Sequence, residues 1–490
     1  MVDPYIIAGI IIFVSGVLVL SRTKAKRYFV FFMFETRHGL SAVDRFAKIS
    51  PRLWKFLGDF AIVISFGGMG AYYVSRYRNT WIITGILGMV CVVLLYLNFG
   101  ILFALSGLAV LVAGIAALRK SKKSLFHLFA SAAVIGGIMF VTYPSFSGVE
   151  VLKPYVSVLV GIFGIPALLI SMLFSQAWKI LVGQSAVPGV SPLLPTVGEE
   201  GPGFFFPGTG IFIPFWQAVI AIIALLVPHE FAHGVLTRCH KIKLKSAGLL
   251  TAGPVPIGAF VEPDQEDMNR HKGRERMRIY AAGSFTNLLV SLVAIFLLTS
   301  VMAPLVNAMT QPSGMLITNV INGTPAYGVL KSGLVIEKIN GIETLDLDSF
   351  RSAISGLKPN QTITISTSNG TFTLTLAQHP ENASRGYIGI DLREKFEIRE
   401  EFKNEYRMQA DVIMFLTPTI FWIFFLSFNI ALVNLLPVVP FDGGKMFEEY
   451  MKEFGIKKRK KDLMTKVVIG VIIALLLVNA SPLFGFALIK

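Results

Sequence analysis

Within Pro228-His229-Glu230-Phe231-Ala232-His233-Gly234 two histidines stand four residues apart, and a carboxylate directly follows the first. At 3.6 residues per turn His229 and His233 share one face of a helix. Two imidazoles so placed bind zinc, and a glutamate beside them can serve as general base. Catalytic zinc takes three protein ligands and keeps one position open. A histidine ten positions after the first does not supply the third, because that position is Cys239 and His240 is one residue off. By spacing, Glu262 and Asp442 both remain open as third ligand. The plainer reading is a pair of satisfied helix histidines. Against it, Ile211 to Val227 is almost wholly apolar, and ionisable groups at membrane depth are costly enough to ask for a function.

The elements that must position these residues are membrane spans. Hydrophobic residues make up 53% of the 490, charged residues 15%, and mean hydropathy is +0.64. The net charge of +15 lies in short runs beside apolar segments, at Arg22–Arg27, Lys241–Lys245, Asn269–Arg278 and Lys457–Lys461. That is the pattern of cytoplasmic loops, and no basic stripe with interleaved aromatics speaks for nucleic acid. Cys91 and Cys239 form neither a disulfide framework nor a thiolate metal site.

Apolar runs at Tyr5–Leu20, Phe56–Val74, Trp81–Leu97, Ile101–Leu118, Leu125–Val141, Val156–Leu181, Ile211–Arg238, Ile279–Leu305, Asp411–Leu436 and Val467–Leu488 predict a polytopic α-helical membrane protein of about ten spans. The first is a retained span with its N-terminus outside, since its positive charges follow it. Tyr28–Lys55 reads as an interfacial amphipathic segment. Basic loops put the end of the histidine helix, Arg270–Arg278 and Lys452–Lys466 on the cytoplasmic side; Arg119–Lys123 falls outside in this count, against the positive-inside rule. The chain divides into an N-terminal transmembrane region (1–182), an external Pro/Gly-rich loop (183–210) holding Glu199-Glu200 and Phe204–Phe206, a first part of the membrane core (211–310), an inserted domain (311–395), and a second part of the core with the last span (396–490). Leu249–Asp267 is broken at Gly253-Pro254 and then extended, with no membrane helix.

The insert alternates as strands at 316–321, 334–339, 362–366, 371–376 and 387–391, with a hairpin signal at Asn369-Gly370 and helices from Thr324-Pro325 and over Leu347–Leu357. It resembles a PDZ domain, an α+β fold that adds an extended peptide to a sheet edge. Asn-x-Ser/Thr triplets at Asn322, Asn360, Asn369 and Asn382 fit an outer location.

Pro228-His-Glu-Phe-Ala-His-Gly234, taken with Asn434-Leu-Leu-Pro-Val-Val-Pro-Phe-Asp442-Gly-Gly444, resembles the site-2 protease family of intramembrane zinc metalloproteases over roughly residues 210–445. The resemblance implies Zn²⁺ held by His229, His233 and Asp442, with Glu230 moving the proton of the attacking water. Gly283-Ser-Phe-Thr-Asn287 is similar to a family segment, with Ser284 where proline is common, and Asn287 and Asn434 are implied partners of substrate backbone or oxyanion. Gly258-Ala259-Phe260-Val261 is similar to an extended loop that pairs with unwound substrate. Implied partners are transmembrane protein substrates, membrane lipid, and a peptide or substrate ectodomain at the PDZ-like domain. The implied site is a multi-pass cell membrane protein with that domain outside and the active site toward the cytoplasm. Read without the resemblance, His229, Glu230, His233 and Asp442 could also form a transit site of a metal or solute transporter, and a silent scaffold presenting the insert is a third reading. The transporter leaves the insert and extended loop unexplained, and the scaffold leaves Glu230 unexplained.

Overall fold

The computed structural model describes residues 14–485 apart from 24, 29–30, 36, 143–152, 199–200, 253–254 and 381. Most of the predicted first span, together with Glu199-Glu200 and Gly253-Pro254, therefore lies outside the described residues, although 14–20 are helical. Contacts divide the chain into two compact units, Met1–Ile295 with Thr419–Lys490, and Phe296–Pro418.

The first unit is helical. In order it contains α1 (Arg37–Ile49), α2 (Pro51–Ser75), α3 (Trp81–Phe99), α4 (Ile101–Lys120), α5 (Ser124–Thr142), α6 (Lys153–Phe163), α7 (Ile165–Leu181), α8 (Phe215–Cys239), α9 (Gln265–Arg270) and α10 (Gly273–Leu297). After the insert come the end of α11 (Arg407–Asn434), α12 (Asp442–Glu453) and α13 (Lys458–Ala480). Eight described helical segments are long and apolar enough to cross a membrane. Large apolar side chains such as Leu97, Leu102 and Val110 stand exposed on α3 and α4, as lipid-facing residues do. Helix α2 is the most enclosed span, and its Ile62, Val63, Phe66 and Val74 pack with Met277 and Phe285 of α10 and Leu432 of α11.

The predicted span Val156–Leu181 is broken. Gly164, at φ 71°, separates α6 from α7, and Gly67, at φ 59°, interrupts α2. The two breaks lie back to back, because a Cβ on Gly164 would meet Ser65 O, Gly67 N and Phe66 C, while one on Gly67 would meet Gly161 O and Gly164 N. Two backbones can approach this closely only where neither carries a side chain. The helix-period pattern of the flanking residues gives no hint of it.

Two sheets attend this unit. The expected external loop contains β3 (Leu194–Gly198), β4 (Gly201–Phe206) and β5 (Ile211–Pro214), an antiparallel sheet in the order β3-β4-β5. Helix α8 therefore begins at Phe215, not at Ile211 as the hydropathy suggests, since Pro214 at φ −60° and ψ 148° is extended. The other sheet has the order β1-β2-β6-β7, from β1 (Lys26–Tyr28), β2 (Phe31–Glu35), β6 (Leu244–Ala252) and β7 (Val255–Pro263). The predicted interfacial segment thus supplies a hairpin and α1. Strand β7 is an edge strand among the described residues.

The second unit contains a mixed α+β domain. Strands β8 (Thr310–Val320), β9 (Val335–Ile339), β10 (Ile342–Glu343), β11 (Thr362–Thr367), β12 (Gly370–Thr375) and β15 (Ile390–Ile398) form one sheet, while β13 (Ala377–His379) and β14 (Asn382–Tyr387) pair separately. Asn369-Gly370 does lie at a hairpin, closed by the Thr367–Gly370 pair. A helix covers Leu347–Ile354, capped by Asp346. The helix expected from Thr324-Pro325 is only a run of turns, closed by Ala326 O accepting from Val329 N and Leu330 N, and Gly328 within it, at φ 78°, departs from helical backbone.

The back-to-back glycines make a measurable difference. Gly100, at φ 85° and ψ −175°, has open space around its Cβ position, so Gly100→Ala should cost about 1–3 kcal/mol for a backbone conformation essentially confined to glycine. Gly164→Ala should cost about 1–3 kcal/mol more than that, because overpacking adds to the same strain. Thermal unfolding of both variants in detergent checks this, and equal losses would contradict the packing.

Candidate metal centre

Helix α8 carries His229 and His233 on one face, and the rings lie edge to face at 4.8 Å. The third element arrives over two hundred residues later. Helix α11 ends at Asn434, and the chain turns through Val438 N to Leu436 O and Phe441 N to Val438 O before α12 begins at Asp442. The hairpin closes tightly because Gly443 lies against the Leu435 backbone. Asp442 therefore opens a helix and does not stop one, and it points its carboxylate at the histidines.

The three ligand atoms converge. His229 Nε2 and His233 Nε2 are 3.1 Å apart, and Asp442 Oδ2 lies 3.4 Å from the first and 3.2 Å from the second. Among the described residues these three form the one cluster of ligand side chains with metal-holding geometry. Three lone-pair donors so close repel one another unless a cation lies between them. A zinc ion about 2.0–2.1 Å from tetrahedral ligands holds them about 3.3–3.4 Å apart, so this donor set fits zinc in both chemistry and spacing. Burial alone would raise the Asp442 carboxyl, but the imidazoles of His233 and His229 hold it well below the usual carboxylate range, in the anionic form a metal requires. Lys445 Nζ, 3.3 Å from Asp442 Oδ1, occupies the other oxygen and leaves Oδ2 to the site.

Helix α10 sets the ring orientations although it carries no ligand. His233 Nδ1 donates to Ile279 O at 2.7 Å, which leaves the Nε2 lone pair facing the centre. His229 Nδ1 lies 3.1 Å from the Asn287 side-chain amide, whose other atom is buried without a partner. With the amide turned so that Oδ1 accepts from Nδ1–H, His229 too offers Nε2 to the centre. Asn287 is fully buried beside His229. Gly283 forms the floor of the site, and a Cβ there would strike Nε2 of both histidines.

The base and the extended segment meet. Glu230 Oε2 accepts from Val261 N at 3.0 Å, so the carboxylate lies against strand β7. Hydrogen-bonding direction alternates along an antiparallel strand, and Val261 and Ala259 therefore turn their backbone groups away from β6, while Gly258 and Phe260 pair toward it opposite Leu250 and Gly248. Asn434 is half-buried, and its side chain makes no hydrogen bond among the described residues. The alternatives for third ligand fall elsewhere. Glu262 is exposed and accepts from Ser246 Oγ at 3.0 Å, Cys239 is buried with Sγ toward Ala47 O, and His240 faces Glu275. Burial pushes the His240 imidazole down to about 4, so it is neutral at physiological pH and lies outside the cluster.

Sequence reasoning missed Gly283 as the floor and Ile279 as the acceptor. The only available signal for the first was its place four residues before Asn287. A backbone acceptor leaves no signal at all. Gly283→Ala should therefore remove most bound metal although every ligand is intact. Metal analysis of the purified variant checks this, and wild-type stoichiometry would contradict the geometry.

The chain matches the model of Peptidase family M50 over residues 217–478, just over half its length. An uncharacterized protein of Methanocaldococcus jannaschii is 29% identical over 308 residues, which cover 63% of this chain and 75% of that protein. The matched residues take in the histidine pair, α10 and the aspartate hairpin, and the chain belongs to peptidase family M50, the membrane metalloproteases of site-2 type.

Proposed function

We propose that this chain is an intramembrane zinc metalloprotease that hydrolyses peptide bonds within or near transmembrane segments of membrane proteins. The observation that carries the reading is the convergence of His229, His233 and Asp442 beside Glu230, on an apolar helix. Zinc held by these three side chains supplies a Lewis acid that makes water nucleophilic near neutral pH and polarises the scissile carbonyl. Glu230 takes the proton of the attacking water and passes it to the leaving amine. Its bond to Val261 N keeps the carboxylate at the edge of β7, and the base therefore lies beside any peptide that joins that edge.

A substrate helix must unwind before it is cut, because its carbonyls are otherwise bonded within the helix. Strand β7 offers such a segment replacement partners at Ala259, with Gly258, Phe260 and Val261 completing the strand. The unpartnered amide of Asn434 is the donor for a substrate carbonyl or the developing oxyanion, while Asn287 orients His229. The PDZ-like domain would bind a peptide or substrate ectodomain outside the cell membrane. The basic loops support an active site toward the cytoplasm, and regulated cleavage of tethered proteins is the use this arrangement suits.

The test is direct. Full-length protein in detergent is incubated with a single-span substrate and its bound zinc is measured. Glu230→Gln should keep zinc and lose cleavage by at least about 100-fold, the usual contribution of a positioned proton carrier. Asp442→Asn should weaken both zinc binding and cleavage. Cleavage surviving in Glu230→Gln would sink the assignment of the base.

A further inference from the structure

We infer that Asp59, in the N-terminal bundle outside the matched region, is a positioning residue for the metal centre, acting on His233 through Arg278 and the backbone of α10. The inference rests on the metal-centre reading above, although it fails separately from it.

Asp59 is completely buried on α2. Its carboxylate accepts from Arg278 Nε at 2.7 Å and Arg278 Nη2 at 2.9 Å, a bidentate pair, and also from Tyr77 OH at 2.9 Å and Arg78 Nη1 at 3.2 Å. The guanidinium in turn lies over the Tyr77 ring, 5.3 Å from its centre. Beside Asp59, a Cβ on Gly58 would come 2.9 Å from Arg278 Cβ and Cγ, so α2 lies directly on the Arg278 stem. A planar fork held at both ends of a carboxylate fixes orientation as well as distance.

The next residue of α10 is Ile279, whose carbonyl receives His233 Nδ1. Two residues before Arg278, Arg276 Nη2 binds Glu449 at 2.7 Å, on the helix that begins with Asp442. Residues two apart lie on nearly opposite sides of a helix. Helix α10 is thus clamped between α2 and the helix of the third ligand, and the acceptor that aims His233 lies one residue beyond the α2 clamp. A pair that merely glued helices together could lie anywhere along their length. This one lies where a small rotation of α10 moves the Ile279 carbonyl, and with it the direction of a metal ligand's lone pair. Partners of this kind set metal affinity about 10–100-fold.

The experiment uses the full chain in detergent, with zinc affinity read by chelator competition and ligand geometry read by the visible spectrum of the cobalt-substituted protein. Asp59→Asn is expected to weaken zinc about 10-fold or more and to alter the cobalt spectrum. Gly100→Ala, which strains the backbone between α3 and α4 with open space at its Cβ position and touches neither α2 nor α10, should leave both readouts as in wild type. Tyr77→Phe removes one bond to Asp59 without unpairing Arg278, and should weaken zinc in the same direction by a smaller factor; it decides the matter if Asp59→Asn does not fold. Folded Asp59→Asn, or Tyr77→Phe in its place, with zinc affinity and cobalt spectrum as in wild type would overturn the inference. So would equal weakening by Gly100→Ala, which would show a general effect of stability. A wild-type chain that binds no zinc would remove the metal-centre reading, and this inference with it.

Discussion

Three electron-pair donors brought within 3.4 Å of one another in a membrane helix bundle repel, and the rest of the structure serves to hold them there. The constraint falls on α10, a helix with no ligand of its own. It offers the Ile279 carbonyl to His233, the Asn287 amide to His229, and the bare Gly283 surface on which both rings rest. Its Arg276 grips the helix that Asp442 begins. No residue but glycine fits at 283, since even a methyl group there meets both nitrogens.

The surroundings follow from the same demand. Buried charge is tolerated only when it is paired, and the first unit obeys this with Asp59–Arg278 and Arg276–Glu449. The open edge of β7 is the complementary feature. Among the described residues no strand pairs with its outer edge, and Glu230 takes Val261 N there, so the base and the strand that would receive a peptide are held by one hydrogen bond. A proton carrier and a substrate-pairing edge fixed to each other need no further alignment when substrate arrives.

Much of this was legible in the sequence, and for stated reasons. His229, Glu230 and His233 announce themselves by helical spacing, and the spans by apolar length. Asp442 is one of two acidic residues that spacing allows, and its place at the cytoplasmic end of an inward-running span and the resemblance of the Asn434–Gly444 hairpin both favour it over Glu262. The structure brings Asp442, and not Glu262, to the histidines. What spacing could not convey were contacts made by backbone or by the lack of a side chain. Ile279 acts through a carbonyl that every residue has, and Gly164 and Gly67 break helices at a crossing that neither segment reveals alone. Asn287 was legible as a polar residue on an apolar helix, but which neighbour it met depended on the turn of α10. The β3–β5 sheet lay hidden in a Pro/Gly-rich stretch that reads as loop, and Arg278 counted only as one more charge in a cytoplasmic run.

The most direct measurement of the central claim is X-ray absorption at the zinc edge of the purified, full-length chain. The account predicts a four-coordinate ion with two imidazole nitrogens, a carboxylate oxygen and one further light atom, all at about 2.0–2.2 Å. A sulfur neighbour at about 2.3 Å, which would bring Cys239 into the shell, or a site with fewer than two imidazoles, would contradict it.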